Sequence, residues 1–132
     1  MLGAGSLGSV IGACLARSGH HVTLVTRNEA HVNAVRTHGL RLVDDDHTVR
    51  VSVDAATSAG ELSPPDLVIV LVKSFDTTAA VAAARHLVAS DTVVLTLQNG
   101  VGCEELIGAV VGSEHVIAGR TFVGGRLVEP GV

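Results

Sequence analysis

Tryptophan and tyrosine are absent from this chain, and phenylalanine occurs only at Phe75 and Phe122. A single-stranded nucleic-acid binder that stacks bases needs aromatic platforms, so that class of partner is disfavoured. The hydrophobic core has to be assembled from Val, Leu, Ile and Ala. Cysteine is scarce too. Cys14 and Cys103 form no CxxC pair and no disulfide framework, and neither has a neighbouring base that would mark a nucleophile. Lys73 is the single lysine, and the formal charge of -4 leaves no basic stripe for a phosphate backbone. No apolar run approaches the ~20 residues that span a bilayer, and no charged leader with a cleavage site is visible. A cytoplasmic protein without nucleic-acid or membrane partners is expected. The sequence leaves the oligomeric state open.

What is present is a chain of 132 residues, 47% hydrophobic and 17% charged. That is the composition of a folded domain, with length for one core rather than two. The glycines at the start lead into a small-residue helix expected over residues 9–18 and stopped by Gly19. "HHVTLVTR" predicts a β-branched strand over 20–27. Asn28 stands at an N-cap position, and Gly39 ends the second helix. "LRLVDDDHTVRVSV" alternates on both sides of Asp44-Asp45-Asp46, as a hairpin with a solvated polar tip would. "LVIVLVK" and "TVVLTLQNG" are continuous apolar runs, the signature of parallel strands covered on both faces. A helix over 76–88, a short helix in "CEELIGAVVG" and a third strand in "HVIAG" complete the alternation. That order predicts an α/β fold of Rossmann type, doubly wound around a mainly parallel sheet.

Gly3-Ala4-Gly5-Ser6-Leu7-Gly8 reads GxGxxG. Fifteen glycines make chance matches easy, so the weight lies in the context: a helix follows, then a strand. Gly3 permits a tight turn, Gly5 lets the backbone approach a diphosphate, and Gly8 allows close packing of helix and sheet. The helix N-terminus then offers unpaired N–H groups and a partial positive charge to the anion. An NAD-binding domain carries Asp or Glu at the end of its second strand, where it holds the ribose 2′-hydroxyl. Here the sequence is Thr26-Arg27-Asn28. Arg27 suits a 2′-phosphate as a two-pronged, charge-assisted partner, which points to NADP. The alternative is a solvated surface charge.

Lys73 and Asn99 end two of the apolar runs, at the carboxyl ends where this fold binds ligands. An ammonium there can meet a carboxylate or phosphate, and an amide can orient a ribose or a keto acid. A snorkelling surface lysine and an Asn-Gly turn are the plain alternatives. The seven histidines are scattered, with no spacing that suggests metal ligation or a relay.

Together, "LGAGSLGS", "GHHVTLVTR", "DLVIVLVKS" and "LTLQNGVG" followed by "EEL" resemble the N-terminal domain of the ketopantoate reductases, over nearly the whole chain. The resemblance implies NADPH-dependent reduction of 2-dehydropantoate to (R)-pantoate, on the route to pantothenate and coenzyme A. It implies that Gly3 to Gly8 cradle the diphosphate and Arg27 the 2′-phosphate. Lys73 would lie beside the cofactor, Asn99 near nicotinamide and substrate, and Gly125 would touch the cofactor through its backbone. The family's proton donor is a lysine of a second, helical domain, so no catalytic residue is expected within residues 1–132. The expected organisation is a dinucleotide-binding domain over 1–132 without that substrate domain. Its first strand is reduced to Met1-Leu2, so the chain reads as cut at both ends and of marginal stability alone. Two other readings remain: a reductase of a different small 2-keto acid, and a non-catalytic NADP sensor.

Overall fold

The computed structural model describes residues 1–44 and 47–132. They fall into two compact units, the first made of Met1, Gly3–Ser58 and Val123–Val132, the second of Leu2 and Ala59–Phe122. Among the described residues no helix is long and apolar enough to cross a membrane. Asp45 and Asp46, the expected hairpin tip, lie outside the described residues.

In the first unit, helix α1 (Ser6–Arg17) begins three residues earlier than the sequence predicts, because Gly5 is its N-cap. Strand β1 (Thr23–Val25) is shorter than the expected run over 20–27. It pairs in parallel with β4 (Asp54–Ala56), three residues against three, and pairing sets its length. β4 was not visible in the sequence: "DAA" carries no β-branched side chain, and only Ala55 is buried. Helix α2 (Glu29–His38) starts as expected, with the Asn28 side chain accepting from the His31 N–H at 3.1 Å. It stops at Gly39, whose φ of 75° is easy only for glycine. The hairpin of β2 (Leu40–Asp44) and β3 (His47–Val51) is antiparallel in the expected place. The core of this unit is aliphatic: Ala4, Ala13, Leu24, Val32, Val35, Leu40, Val51 and Ala55.

The second unit is a parallel sheet ordered β5 (Leu67–Val70), β6 (Val93–Thr96), β7 (Val116–Ala118). Leu2 adds a parallel bridge to Val70, its N–H donating to the Ile69 carbonyl at 2.8 Å. Helix α3 (Thr77–Ala83) connects β5 to β6, and α4 (Cys103–Val111) connects β6 to β7. The helix expected over 76–88 ends at Ala83. The Ala84 N–H is shared between the carbonyls of Ala80 and Val81, and the chain tightens into a 3-10 turn at Arg85–Leu87. Burying Leu87 in that turn keeps its apolar side chain in the core. Both phenylalanines are outside, Phe75 83% and Phe122 101% exposed, so the core is indeed built from aliphatics.

Candidate functional site

The glycine turn belongs to the first unit. The Val25 carbonyl, at the end of β1, accepts from the N–H groups of both Gly3 and Ala4, at 3.0 and 2.9 Å. Those two amides are therefore committed to the strand, and the buried Ala4 methyl sits in the core. Gly3 takes a φ of 100°, which the turn requires. Gly5 follows as an N-cap with no side-chain cap, so the amides of Ser6, Leu7 and Gly8 have no partner inside the helix. A Cβ built on Gly5 meets nothing within 4 Å, whereas one on Gly8 would stand 2.3 Å from the Gly3 carbonyl oxygen. The turn is thus tight on its inner side and open at Gly5, as an anion cradle must be. Close approach of helix to strand falls instead to Gly12, where a Cβ would meet Leu24 Cδ2 at 2.5 Å. No sequence reading singled out Gly12.

Arg27 lies two residues past the end of β1, with its side chain exposed. Gly125 packs over the first turn of α1: a Cβ there would come within 2.9 Å of Val10 Cγ2 and 3.1 Å of the Ser6 carbonyl. Two residues on, the Leu127 N–H donates to Ser6 Oγ at 3.1 Å. The tail therefore runs beside the amides that the glycine turn leaves open. One residue the sequence reading passed over, His31, is fully buried here. Its Nε2 lies 3.2 Å from Ser9 Oγ, and its Nδ1 accepts from the Gly131 N–H at 3.0 Å. The helical pattern concealed it between Ala30 and Val32.

In the second unit, Lys73 and Asn99 are both exposed, just past the carboxyl ends of β5 and β6. The residue between them in structural terms is Gln98. Its Nε2 donates to the Val72 carbonyl and to Thr77 Oγ1, both at 2.8 Å, while its Oε1 accepts from Thr96 Oγ1 at 3.1 Å. Gln98 ties the two strand ends together directly before Lys73 and Asn99. A cavity of about 170 Å³ opens beside it, lined by Thr96, Gln98, Gly100, Cys103, Gly119 and Arg120 among others. Asn99 is not in that lining. Among the described residues no group of His, Cys, Asp and Glu could hold a metal ion.

The ketopantoate reductase PanE/ApbA profile matches residues 1–132, the entire chain. The chain belongs to the ketopantoate reductase family. Curated relatives of that family include the 2-dehydropantoate 2-reductase of Halobacterium salinarum, 41% identical over 131 residues. That alignment covers 98% of this chain and 43% of the relative. The enzyme of Pyrococcus horikoshii is 40% identical over 132 residues, 100% of this chain and 42% of the relative. The chain thus spans less than half the length of these ketopantoate reductases. Among solved structures, a PanE/ApbA family ketopantoate reductase from Ralstonia eutropha superposes with a TM-score of 0.91 at 35% identity, over 98% of this chain and 43% of that one. D-mandelate dehydrogenase, solved with NADH and anilino(oxo)acetate, superposes with a TM-score of 0.91 at 30% identity, over 98% of this chain and 42% of its own. The ketopantoate reductase family and the Rossmann-type parallel α/β fold are those the motifs implied.

Proposed function

We propose that this chain is the cofactor-binding part of an NADPH-dependent reductase that converts 2-dehydropantoate to (R)-pantoate. The observation that carries the reading is the uncapped first turn of α1 behind an open Gly5, in a chain of the ketopantoate reductase family. The residues present fit a dinucleotide: the cradle is free on its outer side, and a guanidinium follows β1 where an NAD-specific domain carries a carboxylate. Reduced nicotinamide, when bound, supplies a hydride to the carbonyl carbon of a 2-keto acid.

The chain's own residues bind and orient. Ser6, Leu7 and Gly8 present N–H groups to the diphosphate, aided by the helix dipole. Gly3, Ala4 and Gly5 shape the turn that aims them, and Gly125 bounds the same first turn through its backbone. Arg27 takes the 2′-phosphate. In the second unit the Lys73 ammonium and the Asn99 amide stand ready for polar groups of cofactor and substrate, with Gln98 fixing the backbone before each. The proton donor to the carbonyl oxygen comes from elsewhere in the protein. An exposed free Cys14 suits a reducing compartment, so the cytoplasm is part of the reading.

The likeness to D-mandelate dehydrogenase supports a second reading, a reductase acting on another 2-keto acid. Calorimetric titration of the intact protein with NADPH and NADH, followed by NADPH oxidation assays with 2-dehydropantoate and benzoylformate, tests both. A preference for NADPH that disappears in Arg27→Ala supports the cofactor assignment. Equal losses for the two cofactors would refute it. Turnover of benzoylformate but not 2-dehydropantoate would move the substrate to the second reading.

A further inference from the structure

Ser9, His31 and Gly131 come from α1, α2 and the tail, separated by 22 and 100 residues along the chain, yet they form one buried hydrogen-bonded chain. Direction can be assigned along it. The Gly131 N–H is a donor, so His31 Nδ1 must be the acceptor and the ring proton must sit on Nε2. That Nε2–H points at Ser9 Oγ at 3.2 Å, and the Ser9 hydroxyl in turn faces the Ala4 carbonyl at 3.5 Å. The line therefore ends inside the glycine turn. Its other end holds the tail that packs on Ser6 and Val10 through Gly125 and meets Ser6 Oγ through Leu127.

We propose that neutral His31 is a positioning residue for the diphosphate turn, holding Ala4 through Ser9 on one side and the 123–132 tail through Gly131 on the other. The inference rests on the reading of that turn as a diphosphate site. Protonation would give Nδ1 a hydrogen facing the Gly131 N–H, donor against donor, and would detach the tail from α2.

The surroundings favour the neutral ring. Neither hydrogen-bond partner is charged, and burial pushes the His31 pKa below its ordinary value of 6.5. Met1 packs against the same core, the pKa of its ammonium lowered to about 6 by burial and the group donating to the Thr23 carbonyl at 2.8 Å. Arg17 stands in the last turn of α1. On α2, Arg36 donates to the Ala55 carbonyl, and Glu29 and His38 are exposed. On the tail, Glu129 pairs with Arg41 of β2, and Arg126 is exposed.

The probe is ADP-ribose, which carries the diphosphate but no 2′-phosphate to titrate near the same pH. Its affinity for the intact protein is measured calorimetrically between pH 7.5 and 5.5, for wild type, His31→Gln and Ser9→Ala. Wild-type affinity should fall about fivefold or more as pH drops, the size of a typical coupling. His31→Gln, which keeps an amide donor for Ser9 and cannot titrate in this range, should lose most of that fall, the Met1 ammonium being common to both proteins. Ser9→Ala should bind more weakly at every pH. Parallel profiles for wild type and His31→Gln, over a pH interval in which the ring nitrogen shifts show His31 taking up its proton, overturn the inference, because a merely structural histidine would shift only the melting temperature. Failure of ADP-ribose to bind wild type at any pH removes the diphosphate reading and this inference with it. If His31→Gln does not fold, nitrogen NMR of the wild-type ring decides: the Nε2–H tautomer at pH 7.5 is required, and the Nδ1–H tautomer overturns it.

Discussion

Replacing Gly5 by alanine puts a methyl group into open space, since a Cβ there has no neighbour within 4 Å, while at Gly8 the same methyl would stand 2.3 Å from a backbone oxygen. The two substitutions are chemically identical and only three residues apart, so they separate ligand binding from folding. For Gly5→Ala the folded chain loses only the difference between glycine and alanine at an N-cap, below about 1 kcal/mol. The added methyl does fill the approach to the amides of Ser6, Leu7 and Gly8. Losing one charge-assisted hydrogen bond, roughly 1.5–3 kcal/mol, weakens binding about 10- to 100-fold. For Gly8→Ala the clash is with the Gly3 main chain, which cannot rotate aside as a side chain does, and overpacking of that kind costs about 1–3 kcal/mol. Gly12→Ala is the third arm. Its Cβ would meet Leu24 Cδ2 at 2.5 Å, a side-chain end that can shift, and alanine recovers up to ~1 kcal/mol of helix propensity. Thermal melts and NADPH calorimetry on the intact protein should therefore show binding lost without stability at Gly5. Both should be lost at Gly8, and little binding should be lost at Gly12. If Gly5→Ala bound NADPH like wild type, or weakened only as its melting temperature fell, the turn would not be the anion site.

Arg27→Lys keeps the charge but not the fork, so it should retain part of the preference for NADPH over NADH that Arg27→Ala abolishes; paired Kd measurements read this directly. His31 should make stability pH-dependent. Its buried neutral form is the weaker base, so the unfolded chain takes up the proton first, and stability declines as pH falls below 6.5 while staying level above it for this group. Urea midpoints across that range should slope less for His31→Gln. Gln98→Leu strands the buried Thr77 hydroxyl and should cost about 1–3 kcal/mol, whereas adding Thr77→Val should recover part of that loss. Strict additivity in the denaturation midpoints would count against the brace.

The sequence revealed whatever depends on local chemistry. GxGxxG, the Asn28 cap, the Gly39 stop and the alternation of buried strands each carry their cause within a few residues, and each stands where expected. The shortfalls are non-local. β4 exists because Asp54–Ala56 lies against β1, and nothing in "DAA" demands a strand. The work expected of Gly8 is divided, with Gly8 fitting beneath Gly3 and Gly12 fitting beneath Leu24, and only the folded geometry distributes those two contacts. The bracing roles of Gln98 and His31 stay hidden for the same reason. A glutamine before an Asn-Gly turn and a histidine inside a helical stripe look ordinary until their partners, 21 to 100 residues away, are beside them.

Those two residues share a physical logic that bears on how the molecule carries a site. Among the described residues the buried polar ones are Ser9, His31, Thr77, Thr92 and Thr96, all uncharged, and no buried side-chain polar atom lacks a partner. A neutral hydrogen bond adds only about 1 kcal/mol net, so these groups are poor sources of stability, yet an unmatched one is costly, which makes each arrangement close to unique. Four of the five engage the glycine turn or the loops that follow β5 and β6, through Ser9 with His31 and through Thr77 and Thr96 with Gln98. Arg27 and Lys73 follow β1 and β5 and are exposed, where a charge is not stripped of its water. Aliphatic packing is non-directional and leaves the polar groups at the strand ends free to settle in more than one arrangement. Neutral braces at the strand ends remove that freedom where ligand groups would have to be met, and they do so without burying a charge that would have to be neutralised.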